Sequence, residues 1–281
     1  MKRFIKIIIN SLLRKIVDFL FLFNIGRYLI EKFQLSINLK KYSLNYKNKE
    51  YSFFIPNRLN YFRAKTFLTK EPETIQWIEN FSRDSIFWDI GANIGLYCCF
   101  AAKEKNSKTY AFEPSIFNLE LLSKNIFCNN LSDKIIIIPI SLTDKTKISK
   151  FNMSNTEVGG SMSTFSENYG HDGKSLNSVF NFKTIGLSGN TFVNQLKIEK
   201  PDYIKIDVDG IEHLILNGFN EILDNTKSIL IEVNENFKFQ EKNIEQFLKN
   251  NNFFLKEKQQ SDMIKNSELN SKIYNQIWYK K

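Results

Sequence analysis

Three short stretches hold residues whose types and spacing could do chemistry. The first is Asp89-Ile90-Gly91-Ala92-Asn93-Ile94-Gly95, an acid and two glycines set between an apolar run and a helical pattern. The second is Glu113-Pro114-Ser115, about 20 residues past the first turn, where an acid that reads a ribose is expected. The third is Lys205-Ile206-Asp207-Val208-Asp209-Gly210, with Glu212 and His213 close behind. A glycine turn between a strand and a helix lets a ligand approach the backbone. The spacing here argues against two phosphate binders. The middle glycine of a dinucleotide fingerprint is absent, and no Gly-Lys-Ser/Thr follows to make a P-loop.

Asp89 would repel a pyrophosphate and suits a ligand that carries positive charge. S-adenosylmethionine (SAM) is such a ligand: it has a sulfonium, an ammonium and no phosphate. Glu113 would accept from its two ribose hydroxyls, and Pro114 ends the strand by removing a ladder donor. The third stretch reads as a strand whose Lys205, Asp207 and Asp209 share a face. A buried central strand should be apolar on both faces, so these charges mark either an opening into a site or a structural Lys205–Asp207 ion pair.

The elements that must position these groups follow a rhythm. Strands at 86–90, 109–113, 134–140, 201–210 and 228–233 alternate with helical patterns, and KIYNQIWYKK reads as a terminal strand. That order predicts a mostly parallel, doubly wound α/β sheet. A hairpin is expected over Lys41–Pro56 and a helix over 72–81, with Pro72 in its first turn. The interval Phe151–Asn190, rich in Ser, Asn and Gly, reads as a long loop near the carboxyl ends of the sheet. Within it, VGGSMSTF (Val158–Phe165) is expected to reach over the site.

The chain's 281 residues, 42% of them hydrophobic, are enough to bury a substantial core and exclude a disordered chain. The net charge of +9 admits nucleic acid or anionic lipid as partners. Because lysines are scattered along the whole length, the charge reads as a compositional bias rather than a basic face. Cys98, Cys99 and Cys128 show no ligand or disulfide spacing, which fits a reducing cytoplasm. The only histidines are His171 and His213, so a His-rich metal site is not expected. The N-terminal run is basic and apolar, but Arg14, Lys15 and Asp18 interrupt it, so neither a signal peptide nor a spanning helix is expected. It reads as amphipathic helices that either cap the core, the preferred reading, or touch a membrane surface through residues 1–35.

DIGANIGLY, AFEPS, IKIDVDGIEHLILNGF and ILIEV, in that order over residues 85–234, resemble the FkbM-type SAM-dependent methyltransferases of the Rossmann-like class I group. Asp209 stands where the family usually has Glu. The resemblance implies a seven-stranded sheet with helices on both faces and an antiparallel last strand. It also implies a methyltransferase domain over 51–281 behind a helical extension at 1–50, and O-methylation of a sugar or natural-product hydroxyl. Asp89, Gly91, Asn93 and Gly95 would line the methionine end of SAM. Glu113, with Pro114 and Ser115, would take the ribose, and Ser141 and Leu142 the adenine. Methyl transfer to a hydroxyl needs an aligned nucleophile and removal of its proton. Asp207 is the first choice of base and Lys205 of charge stabiliser, with Glu212 and His213 as alternates. Glu232 is a candidate substrate contact. A metal is not expected, although Asp207, Asp209 and Glu232 are oxygen ligands of the type Mg²⁺ takes. The expected acceptor is a small molecule or glycan. Nucleic acid is not expected, because Asp-Val-Asp-Gly stands where base methylases often carry an Asn/Asp-Pro-Pro-aromatic motif. A nucleic-acid methyltransferase, favoured by the charge, and a non-catalytic SAM-binding module are the alternatives.

Overall fold

The computed structural model describes residues 2–260 and 272–281, with side chains described from Phe4 onward. The chain forms two compact units, Met1–Tyr61 and Phe62–Lys281. The first holds helices α1 (Lys2–Phe21) and α2 (Asn24–Asn38) and the hairpin β1 (Lys41–Tyr46) and β2 (Lys49–Phe54). Lys47 and Asn48 turn the hairpin with φ of 46° and 65°, the left-handed pair that matches the twist of the flanking strands. The two helices meet at Gly26, where a Cβ would lie 2.1 Å from the Leu20 carbonyl oxygen. Helix α3 (Arg58–Thr66) carries the chain into the second unit.

The second unit continues with α4 (Pro72–Glu79), which has Pro72 in its first turn. The strand–helix alternation follows: β3 (Ile86–Ile90), α5 (Leu96–Lys105), β4 (Lys108–Phe112), α6 (Ile116–Cys128) and β5 (Ile135–Ile138). After an intervening segment come β10 (Tyr203–Ile206), α8 (Glu212–Asn217), β11 (Ser228–Asn234), α9 (Lys238–Asn250), β12 (Phe253–Gln259) and β13 (Ile273–Lys280). They form one seven-stranded sheet in the order β12-β13-β11-β10-β3-β4-β5. Only β13 runs against its neighbours, inserted between β11 and β12. β12 is a strand that the sequence reading lacks. Only Phe253 among its side chains is buried, and Lys256, Glu257 and Lys258 give it the charged character of an edge strand.

The interval 151–190 is not one long loop. It supplies most of a second, four-stranded sheet in the order β6-β9-β7-β8, built from β6 (Ser141–Leu142), β7 (Lys147–Met153), β8 (Ser163–Phe165) and β9 (Phe180–Leu187). Alternation explains it: Phe151, Met153 and Phe165 are buried in the main apolar core, and Phe182 packs against them. The Ser and Gly content belongs to the connections between these strands. Helix α7 (Gly189–Leu196) follows, started by the Ser188 hydroxyl, which accepts from the Thr191 amide.

The strand β10 is also shorter than expected. It ends at Ile206, and Asp209 takes a left-handed φ of 62°, so the strand's alternation does not place Asp209 beside Lys205 and Asp207. Aromatic rings fill the core over β3 and β4: Trp88 lies 5.1 Å from Phe112 and 5.7 Å from Phe192 of α7. Phe192 is 1% exposed and also sits 5.1 Å from Phe112. Phe192→Ala is expected to destabilise the chain by about 3–5 kcal/mol through lost burial and a residual cavity. Urea unfolding followed by tryptophan fluorescence measures it.

Candidate active site

The strand order reverses between β3 and β10. The site lies at their carboxyl ends, where such sheets bind ligands. The turn after β3 is unusual in its backbone: Gly91, Asn93 and Gly95 have φ of 86°, 50° and 87°. The Gly91 and Ala92 amides both donate to the Phe112 carbonyl at 3.0 Å, which ties the turn to β4. Gly91 cannot be replaced without movement, since a Cβ there would lie 1.9 Å from the Asp207 carbonyl oxygen. The glycine turn and the Lys205–Asp207 stretch are therefore in backbone contact.

Two lobes of a cleft meet at Gly91. The apolar lobe is lined by Ile90, Phe112, Pro114, Ser141, Leu142 and Val208 among others. The Ser141 hydroxyl there is buried without a partner. The polar lobe is lined by Arg63, Lys70, Glu71, Tyr97, Lys205 and Asp207, with Asn93 on its turn side. Asp89, Gly95, Glu113 and Ser115 lie behind these walls. The Glu113 carboxylate accepts from the Asn93 and Ser115 amides, each at 2.8 Å, and so holds the turn and the start of α6 in place.

Lys205 is 1% exposed, and its ammonium donates to Asp207 at 2.7 Å. Asp89 is its register partner on β3 and is equally buried. Neither Asp89 carboxylate oxygen has a hydrogen-bond partner at close range. Burial pushes the Asp89 carboxyl up to about 6, against the pull of Lys205. Burial also raises Glu113 to about 7, against its two backbone donors. At Asp207 burial is outweighed by Lys205, with smaller help from Lys70 and Arg63, and the carboxyl falls below the usual range. Glu232 goes the other way: burial, then Asp207, Asp209 and Glu212, hold it well above the carboxylate range. Neighbouring carboxyls are thus pushed in opposite directions, Asp207 down and Glu232 up.

Two expected catalytic alternates are placed elsewhere. Glu212 is 1% exposed, and its carboxylate accepts from the Val208 and Gly210 amides at 3.0 and 3.1 Å and from Gln240. It braces the Asp-Val-Asp-Gly turn, and its oxygens face backbone rather than the cleft. His213 is buried against aromatic rings. It is 3% exposed and packed edge-on against Phe237 and Phe239, and burial lowers it to about 4. It lines neither lobe. Among the described residues, no three of His, Cys, Asp and Glu converge to hold a metal.

The segment Val158–Phe165 does reach the site. The Gly160 carbonyl accepts from the Asn93 and Asn118 side-chain amides at 2.8 and 3.1 Å. The Gly159 amide donates to Asn118 at 2.9 Å, and its carbonyl accepts from Arg63 Nε at 2.9 Å. The Met162 amide donates to Asp209 at 2.6 Å. Arg63, Lys70, Glu71 and Asn118 were invisible as site residues in the sequence, because the first three precede the recognisable words and Asn118 lies in ordinary helix. Tyr97 had one signal, its place inside DIGANIGLY. Its hydroxyl donates to Glu71 at 2.7 Å, and the Lys205 ammonium lies 5.2 Å from its ring.

The raised carboxyls set a pH dependence. Glu113 binds its proton more tightly when folded, so the folded state holds more protons than the unfolded one between about pH 4.5 and 7. Stability of the ligand-free chain is then expected to fall as pH rises through that window, by about 3 kcal/mol from this group. Urea midpoints across the window should show the fall, and Glu113→Gln should flatten it.

Three comparisons bear on the site. A family model described as the methyltransferase FkbM domain matches residues 89–255. The chain is 26% identical over 156 residues to the hexuronic acid methyltransferase AglP of Haloferax volcanii, across 56% of this chain and 59% of that protein's length. It is also similar to solved structures of a precorrin-6y C5,15-methyltransferase from Geobacter metallireducens and of M. capricolum TrmK in complex with S-adenosyl-homocysteine. The first match has 12% identity and a TM-score of 0.43, over 75% of this chain and 86% of the other. The second has 15% identity and a TM-score of 0.43, over 73% of this chain and 67% of the other. With the family model covering more than half of its length, the chain belongs to the FkbM methyltransferase family.

Proposed function

We propose that the protein transfers a methyl group from SAM to an oxygen of a saccharide, in a free glycan or a glycolipid. The observation that carries this reading is the contact of Gly91 with the Asp207 carbonyl, which puts the donor turn and the Lys205–Asp207 pair in one cleft. The residues suit the donor. Glycine at 91 lets the turn press against the Asp207 carbonyl, and the buried Asp89 carboxylate behind the turn complements a cation. The apolar lobe with Ser141 and Leu142 suits a purine, and Glu113 supports the ribose side through the Asn93 turn. SAM, when bound, supplies an electrophilic methyl group on its sulfonium.

The chain's own residues then have distinct tasks. Asp207, ionised and half-buried, accepts a hydrogen bond from the acceptor hydroxyl and takes its proton as the oxygen becomes nucleophilic. Lys205 stays charged and stabilises the negative charge developing on that oxygen. Arg63 and Lys70 add positive charge to the lobe, which suits an acceptor that carries a carboxylate, the type of sugar named for AglP. No nucleic acid enters this reading. The free thiols Cys98, Cys99 and Cys128 support a cytoplasmic setting.

Calorimetric titration with SAM and with NAD⁺ tests the donor. SAM is expected to bind and NAD⁺ not to bind, and Glu113→Ala should abolish SAM binding. Absence of SAM binding by a well-folded protein would sink the reading. Asp207→Asn should keep most of the SAM affinity and lower transfer to hexuronides or hexosides by about 10²–10⁴. Because Asp89 titrates near 6, SAM should bind more tightly as pH rises through that value, with proton release below it. Titration in two buffers of different ionisation enthalpy reads that release.

A further inference from the structure

The net charge is not spread as evenly as the lysines are. Residues 1–41 contain nine Lys and Arg but only Asp18 and Glu31 as acids, a net of +7 out of the chain's +9. The other 240 residues together carry +2. The same segment holds the molecule's largest run of exposed apolar side chains. In α1, Ile5, Ile8, Ile9, Leu12, Ile16 and Phe19 follow the 3.6 period along one face, and each is between 46% and 60% exposed. In α2, Ile25, Leu29 and Phe33 are spaced four apart, and each is 56% or more exposed. The opposite face of α1 presents Lys6, Asn10, Arg14 and Asp18, with Ile7 and Val17 among them.

Ordinary chains leave single apolar residues in water, but a face of this extent marks an interaction surface. Neither helix is long and apolar enough to cross a membrane. A helix with one apolar face, cationic flanks and too little overall hydrophobicity to span lies in the plane of a lipid interface. The close approach at Gly26 packs α1 and α2 as a pair, so two apolar faces belong to one docking element.

We propose that the α1–α2 hairpin is an interfacial anchor that binds the protein to anionic lipid bilayers. It buries the Ile5–Phe19 and Ile25–Phe33 faces among the acyl chains, while Lys6, Arg14, Lys15, Arg27 and Lys32 meet the phosphates. On this proposal the segment docks on lipid in place of capping the core, and the basic excess is functional rather than a compositional accident. The inference does not rest on methyl transfer, since a protein with a different catalytic role would dock in the same way.

Co-sedimentation of the full chain with vesicles tests it. The probes are phosphatidylcholine alone and an equal mixture of phosphatidylcholine and phosphatidylglycerol. Binding is expected to the mixture, to weaken as salt rises, and to be weak on phosphatidylcholine alone. The variant K6E/R14E/K15E should lower the partition coefficient by about 100-fold or more. The variant L12E/I16E should lower it comparably at any salt concentration. SAM titration of each variant, with near-ultraviolet circular dichroism, checks that the second unit is intact. Equal binding to both vesicles would overturn the anionic partner. No binding to either would overturn the anchor: a dimer dissolved by L12E/I16E would then assign the face to a second copy, and a monomer would assign it to the chain's own core.

Discussion

The structure depends on how a lysine is kept charged at the centre of a sheet. Lys205 lies on β10 between two neighbouring strands, almost without access to water. Burial alone would strip its proton, and Asp207, Asp89 and Glu71 together prevent that. Each of those acids lies on a different part of the fold: the end of β10, the strand β3 and the segment before α4. A buried charge whose partners come from three elements fixes those elements relative to one another, because losing any one leaves charge unpaired in a medium of low dielectric. The cleft is what this arrangement encloses.

The same charge sorts the surrounding carboxyls. Asp207 takes most of the attraction and remains ionised. Glu232, buried near the remaining acids, is pushed the other way, well above the carboxylate range. Glu212 is as buried as any of them, yet its oxygens are spent on the amides of the turn after β10. Similar acids therefore sit in different states of charge and bonding: Asp207 shifted down, Glu232 shifted up, and Glu212 holding backbone. Distance to Lys205 and access to backbone donors decide which.

The second sheet extends this control to the rim of the cleft. Its strands bury Phe151, Met153 and Phe165 in the main core, so the connection between β7 and β8 is held at both ends. That connection crosses to Asn93, Asn118, Arg63 and Asp209. Residues of the donor turn and of the turn after β10 thus share a strap whose carbonyls and amides are already satisfied. Any ligand entering beneath it meets a preformed polar edge rather than a free loop.

Much of this was legible without coordinates. Alternating apolar runs and helical patterns determined the parallel sheet, because period two and period 3.6 follow from backbone geometry alone. Asp89, Gly91 and Glu113 read as a strand-end ligand site; the fold brings Gly91 to the cleft and leaves Asp89 and Glu113 behind its walls. The edge strand β12 gave no such signal, since a strand exposed to water needs no apolar alternation. The strands of 151–190 were masked by the polar connections between them. Glu212 and His213 read as chemistry because titratable type is visible in a sequence, whereas the direction of a side chain is not. Arg63, Lys70, Glu71 and Asn118 joined the site only through tertiary contacts, being distant in the chain from every recognisable word. The sequence by itself determined which groups could react; folding decided which of them face the cleft, because burial and partner distance, not residue type, set their charge.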